Sequence, residues 1–129
     1  MEIAALLVTA LLFGGMVLYS FGFAAFVFTA LPAEVAGPTI RRAFPHFYVF
    51  VMAASALGAL LVIQTDTTAA IMLGLVALTT APTRQILMPA INAATDTGKK
   101  RRFQILHTVS VVITLAHIAA AAYVLARFI

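Results

Sequence analysis

From Ile3 to Leu31 the chain carries no charged side chain, and nearly every residue is apolar. A helix that crosses the hydrocarbon core of a bilayer needs about 20 such residues. This one stretch therefore confines the fold to a membrane-embedded architecture. Glu2 precedes it and no Lys or Arg does. Its length exceeds the roughly 7–15 apolar residues of a secretory signal, so it reads as a retained helix. Being longer than the hydrocarbon core, it should tilt or protrude. Three more stretches qualify: about Pro45 to Gln64, Thr67 to Ala93 with Arg84 inside it, and Phe103 to Ala126. The alternation of barrel strands is absent, and helices are the other way to satisfy a backbone in lipid.

The expected fold is an all-α membrane protein, an antiparallel bundle of four transmembrane helices at about 3–31, 45–64, 67–93 and 103–126, in a single domain 1–129. Within Leu31–Pro45, Pro32 suits a helix start, Glu34 suits a first turn, and Gly37-Pro38 interrupts. This predicts a short interfacial element between helices 1 and 2, with Pro45 opening helix 2. Gly14, Gly15, Gly22, the Ala54/Gly58 pair and Ala116/Ala120 are read as small residues that let helices approach.

Charge supplies an orientation. Charged residues make up only 9% of the chain against about 25% in soluble domains, which excludes an ordinary soluble globule. Arg41 and Arg42 fall between helices 1 and 2; Lys99, Lys100, Arg101 and Arg102 fall between helices 3 and 4. Short connections place both loops on one side, and cations collect in cytoplasmic loops. The expected setting is a bacterial inner (cytoplasmic) membrane, crossed several times, with both termini periplasmic or exterior. The six cations would meet anionic headgroups, which leaves no need for a nucleic-acid partner to explain the net charge of +4.

Absences narrow the chemistry. There is no Cys, hence no disulfide and no thiol nucleophile or ligand. No carboxylate lies inside a span, and no phosphate-binding loop, metalloprotease motif or serine triad is present. No catalytic residue is assigned, and hydrolysis or phosphoryl transfer is not expected.

Ionisable and polar groups within spans are costly, so each is a site hypothesis. In helix 4, His107, Ser110, Thr114 and His117 share one stripe at helical spacing. His107 lies five residues past Arg102, ~7–8 Å deep, and His46 lies four past Arg42. Matched in depth, His46 and His107 could hold a metal or a b-type haem; equally, both could be amphipathic residues near headgroups. His117 falls near mid-depth with Tyr19, Ser20, Ser55, Thr79, Thr80 and Thr114. This layer could be a proton or solute site, or a packing seam in which a Tyr or Thr hydroxyl serves the imidazole.

Arg84 is the one charge inside a span. It could snorkel to headgroups, or bond carbonyls or an anionic ligand. Pro82 and Pro89 free the carbonyls of Leu78 and Gln85, which suits either a kink or a broken-helix site. The candidate ligand set in the cytoplasmic half is Arg84, His46, His107, Thr83, Gln104 and Tyr48.

Several short motifs carry a family resemblance. They are Gly14-Gly15, Leu31-Pro32 with Ala36-Gly37, Phe44-Pro45-His46-Phe47-Tyr48, Ala81-Pro82-Thr83-Arg84, and Arg102-Phe103-Gln104-Ile105-Leu106-His107 followed by Ser110. Together they resemble the bacterial relatives of vertebrate transmembrane protein 205, a family of unknown function. His46 departs from that family's Phe-Pro motif. The resemblance implies a four-helix membrane domain and supplies no catalytic residues.

The expected function is that of a small inner-membrane protein binding a small hydrophobic or anionic molecule, or a membrane partner, in the cytoplasmic half. The alternatives are a redox protein with haem b on His46 and His107, and a structural accessory subunit of a membrane complex. A membrane-protein partner or a homo-oligomer fits each.

Overall fold

The computed structural model describes all 129 residues. It is helical throughout, with four long helices: α1 Glu2–Ala30, α2 Ala33–Val62, α3 Thr67–Asp96 and α4 Lys100–Ala126. Each is long and apolar enough to cross a membrane.

The breaks between helices have local causes. Leu31 is extended ahead of Pro32, which sets the chain up for α2. Asp66 caps α3, its carboxylate accepting the Ala69 N–H at 3.0 Å. Gly98 closes α3 at φ +67°, the left-handed region that favours glycine. Lys100–Arg102 form the first turn of α4 rather than a loop.

The stretch Leu31–Pro45 departs from the sequence-based expectation. No separate interfacial element precedes α2; from Ala33 onward these residues are its first turns, with Pro38 and Pro45 inside the helix. The carbonyls these prolines leave free belong to Glu34 and Arg41, both exposed residues. An exposed carbonyl can take its hydrogen bond from outside the helix, so a proline here does not force a break.

Two stretches are π-helical: Leu18–Phe23 in α1 and Thr83–Leu87 in α3. The second lies between Pro82 and Pro89, where the regular ladder already lacks donors.

The core forms where α1, α2 and α3 meet. Leu12, Met16, Val51 and Leu73 are almost fully buried there, and Val124 joins them from α4. Gly58 allows a close approach: a Cβ at that position would lie 3.0 Å from Leu73 Cδ1. Leu73 is fully buried and has little room to move. α2 packs on α1 and α3, and α4 packs on both of them from the other side. α1 meets α4 chiefly along Glu2–Val17; its last turns, Ala24–Ala30, pack against α2 instead. The two helices therefore splay apart toward the end that carries Arg42 and Lys99–Arg102, termed here the basic end.

One bidentate ion pair ties each end of the bundle. At the basic end Arg41 of α2 binds Asp96 of α3 at 2.8 and 3.2 Å. At the other end Arg127 binds Asp66 at 2.6 and 3.0 Å. Arg127 Nη1 also donates to the Tyr123 hydroxyl at 3.1 Å.

The hydrogen bonds from Arg127, with help from the Ala69 N–H, hold the Asp66 carboxyl below its ordinary pKa. A carboxyl depressed by folding adds stability above its unfolded pKa and loses it as pH falls through the folded value. Asp66→Asn keeps a good cap but removes the charge. Detergent melting curves should show Asp66→Asn below the native protein at about pH 7, with the gap closing toward about pH 3. A gap of constant size would show that the ion pair adds no pH-dependent stability.

Candidate functional site

The splay between α1 and α4 opens a cleft of about 620 Å³ that all four helices line. This volume lies within the ~300–1,000 Å³ range of small-molecule sites. Helical spacing decides which side chains reach it. On α4 they are Phe103, His107, Ser110 and Thr114, at steps of four, three and four. On α2 the lining residues Gly37, Arg41, Phe44 and Tyr48 follow the same steps, with Pro38 and Ile40 beside them. α1 supplies Ser20, Phe21, Ala24 and Phe28, and α3 supplies Ile91, Asn92, Thr95 and Asp96.

The walls are sorted by chemistry. Phe21, Phe28, Phe44, Ile40, Ile91 and Phe103 make most of the sides apolar. The His107 ring stacks on Phe103, with centroids 5.4 Å apart and planes 18° apart. At the basic end the lining includes Arg41 and Asp96, already paired with each other. The inner end is made of hydroxyls: Ser20, Tyr48, Ser110 and Thr114. Tyr48 is 7% exposed and lines the cleft together with Ser110. Behind it Phe44, Phe47 and Tyr19 form a packed aromatic cluster, with Tyr19 stacked on Phe47 at 4.8 Å. This cluster holds Phe44 and Tyr48 in place.

The sequence candidates separate. His107, Tyr48 and Thr114 line the cleft. Arg84 lies outside it, donating from Nε to the Pro45 carbonyl at 3.1 Å and from Nη1 to Gln85 Oε1 at 2.7 Å. This is carbonyl bonding across helices, from α3 to α2. Thr83 is buried and donates to the Thr79 carbonyl at 2.8 Å. Gln104 and His46 are exposed and outside the lining. The cleft thus takes up His107 and not His46, and no group of three or more His, Asp or Glu side chains converges as a metal site.

In the mid-depth layer Ser55, Thr79 and Thr80 bond the preceding turn of their own helices. Ser55 and Thr80 donate to the carbonyls of Val51 and Val76 at 2.5 and 2.6 Å. Tyr19 belongs to the aromatic cluster. One contact of this layer crosses between helices: His117 Nε2 lies 2.7 Å from Thr79 Oγ1. The Thr79 hydroxyl proton is directed at the Leu75 carbonyl, 2.7 Å away. Thr79 Oγ1 must therefore accept, which puts a proton on His117 Nε2.

The polar stripe of α4 supplies His107, Ser110 and Thr114 to the lining but not His117, and of the α2 wall the sequence candidates include Tyr48 without Gly37, Arg41 and Phe44. The missed signal was the helical period running from Gly37 through Arg41 and Phe44 to Tyr48, concealed by reading Pro45 as a helix start. The Arg41–Asp96 pair, 55 positions apart in the chain, left no local trace.

The family described as "Domain of unknown function (DUF4149)" matches residues 7–100. The chain belongs to this family. No curated protein and no solved structure matches it. The DUF4149 match takes in the α1, α2 and α3 walls of the cleft and ends where α4 begins.

The Thr79–His117 contact generates a stability prediction. In a double-mutant cycle with Thr79→Val and His117→Leu, the coupling should be about 0.6 kcal/mol and below about 1.7 kcal/mol. Strictly additive losses would mean that the bond contributes nothing to the fold.

Proposed function

We propose that this DUF4149 protein is a small integral protein of a bacterial inner membrane that takes up a lipophilic small molecule from the bilayer. In this reading the four helices run antiparallel. The basic loops lie on the cytoplasmic side, where Arg42 and Lys99–Arg102 meet anionic headgroups. Both termini lie opposite, and the cleft occupies the cytoplasmic half. The likeness to transmembrane protein 205 relatives fits the same arrangement.

The observation that carries the reading is the place where the cleft opens. α1 and α4 pack together in one half and part in the other, and the lining at the gap includes apolar side chains that are also exposed. Phe21 is 49% and Phe28 61% exposed. In a bilayer such a gap faces acyl chains, so the ligand would arrive from lipid. An apolar body would fit the aromatic walls, and the polar inner end would select among lipophiles.

Two measurements test this reading. Native mass spectrometry from mild detergent should show the protein retaining a lipophile, and Ala24→Trp, which fills the cleft, should lose it while still melting cooperatively. Equal retention by both proteins would overturn the binding site. Because the chain has no Cys, Lys99→Cys gives a single label. A membrane-impermeant maleimide should react with it in inverted vesicles and not in intact spheroplasts; the opposite pattern would reverse the topology.

A further inference from the structure

We propose that the ligand is a neutral lipid whose head carries a carbonyl oxygen, and that it enters head first, with that oxygen against Ser20, Tyr48 and Ser110. The inference rests on the binding site proposed above and names the chemistry that the site selects.

A Ser or Thr within an apolar bundle usually donates to the carbonyl one turn earlier. The buried hydroxyls outside the cleft do so: Thr9 to Ala5, Ser55 to Val51, Thr80 to Val76 and Thr83 to Thr79, all between 2.5 and 2.8 Å. Ser20 does not. Its Oγ is the one buried side-chain polar atom in the protein without a hydrogen-bond partner. Ser20 lies inside the π-helical stretch Leu18–Phe23, where the carbonyl positions are shifted from the α-helical register. The same residue lines the cleft.

The neighbours repeat the pattern. Ser110 and Thr114 line the cleft and donate to no carbonyl of their own helix, and Tyr48 lines the same cleft. Each of these hydroxyls has one proton and two lone pairs, and the Ser20 proton has no acceptor. A buried proton without an acceptor favours a ligand that brings one, and a carbonyl oxygen offers two lone pairs and no competing proton.

Charge excludes other heads. The charged side chains in the lining are Arg41 and Asp96, which neutralise each other at the basic end. A carboxylate or phosphate at the inner end would be buried without a counter-ion, which is strongly unfavourable. The tail would leave through the gap beside Phe21 and Phe28. A tail-first ligand would instead press its apolar end against the unpaired hydroxyls.

The test uses the full chain in detergent micelles and three probes: a decyl-substituted benzoquinone, decylbenzene with no carbonyl, and decanoate with an anionic head. The quinone should bind most tightly. Ser20→Ala and Tyr48→Phe should each weaken it about five- to tenfold, the loss of one hydrogen bond, and leave decylbenzene unaffected. Melting of Ser20→Ala should stay level or rise, because an unpartnered buried hydroxyl is removed. If quinone affinity ignores both substitutions, or if decanoate binds best and depends on Lys100, the head-first neutral ligand is wrong. If lipophile retention still depends on Ala24, only this inference fails and the binding site stands; if it does not, both fail.

Discussion

In an apolar surrounding a backbone amide has no water to bond, so each N–H must find its acceptor along its own helix. The rest of this structure depends on that constraint. Helix continuity is kept even through the prolines: α2 runs unbroken past Pro38 and Pro45, and α3 past Pro82 and Pro89. Where the regular ladder is disturbed, the chain changes register locally, as in the π-helical stretches of α1 and α3, instead of unwinding. Side chains follow the same rule. Arg84, a charge in the interior of α3, reaches a carbonyl of α2, and most buried hydroxyls bond the preceding turn.

Exceptions to the rule gather in one place. The unpartnered Ser20 hydroxyl, the Tyr48 and Ser110 hydroxyls and the stacked His107 all line the gap that α1 and α4 leave between them. That gap exists because α4 is held at one end by Val124 in the core and by Arg127 on Asp66, while the last turns of α1 follow α2. The bundle is closed where its helices share small and tightly buried residues, such as Gly58 against Leu73, and open where large aromatic side chains of α1 lie on the rim. The proposed binding role rests on this contrast.

Much of this could be read from residues in order. Long uncharged runs mark spans because the thickness of a hydrocarbon core translates directly into helix length. The polar stripe His107–Ser110–Thr114–His117 marks one face of α4 because helical periodicity acts within a single element. The interruption expected at Gly37-Pro38 is absent for a physical reason. A proline's effect depends on who satisfies the freed carbonyl, and here Glu34 and Arg41 are exposed. That exposure is a property of the packed bundle.

The amino-acid sequence by itself determined four apolar helices, the location of their cations and the polar face of α4, because these follow from local composition and a 3.6-residue repeat. Only the tertiary structure decided that Arg41 meets Asp96, that Thr79 meets His117, and that His107 joins Tyr48 in a cleft while His46 and Arg84 stay outside it. Those outcomes depend on the angle and rotation of each helix against its neighbours. Such relations are set by packing between residues far apart in the chain, and no local pattern encodes them.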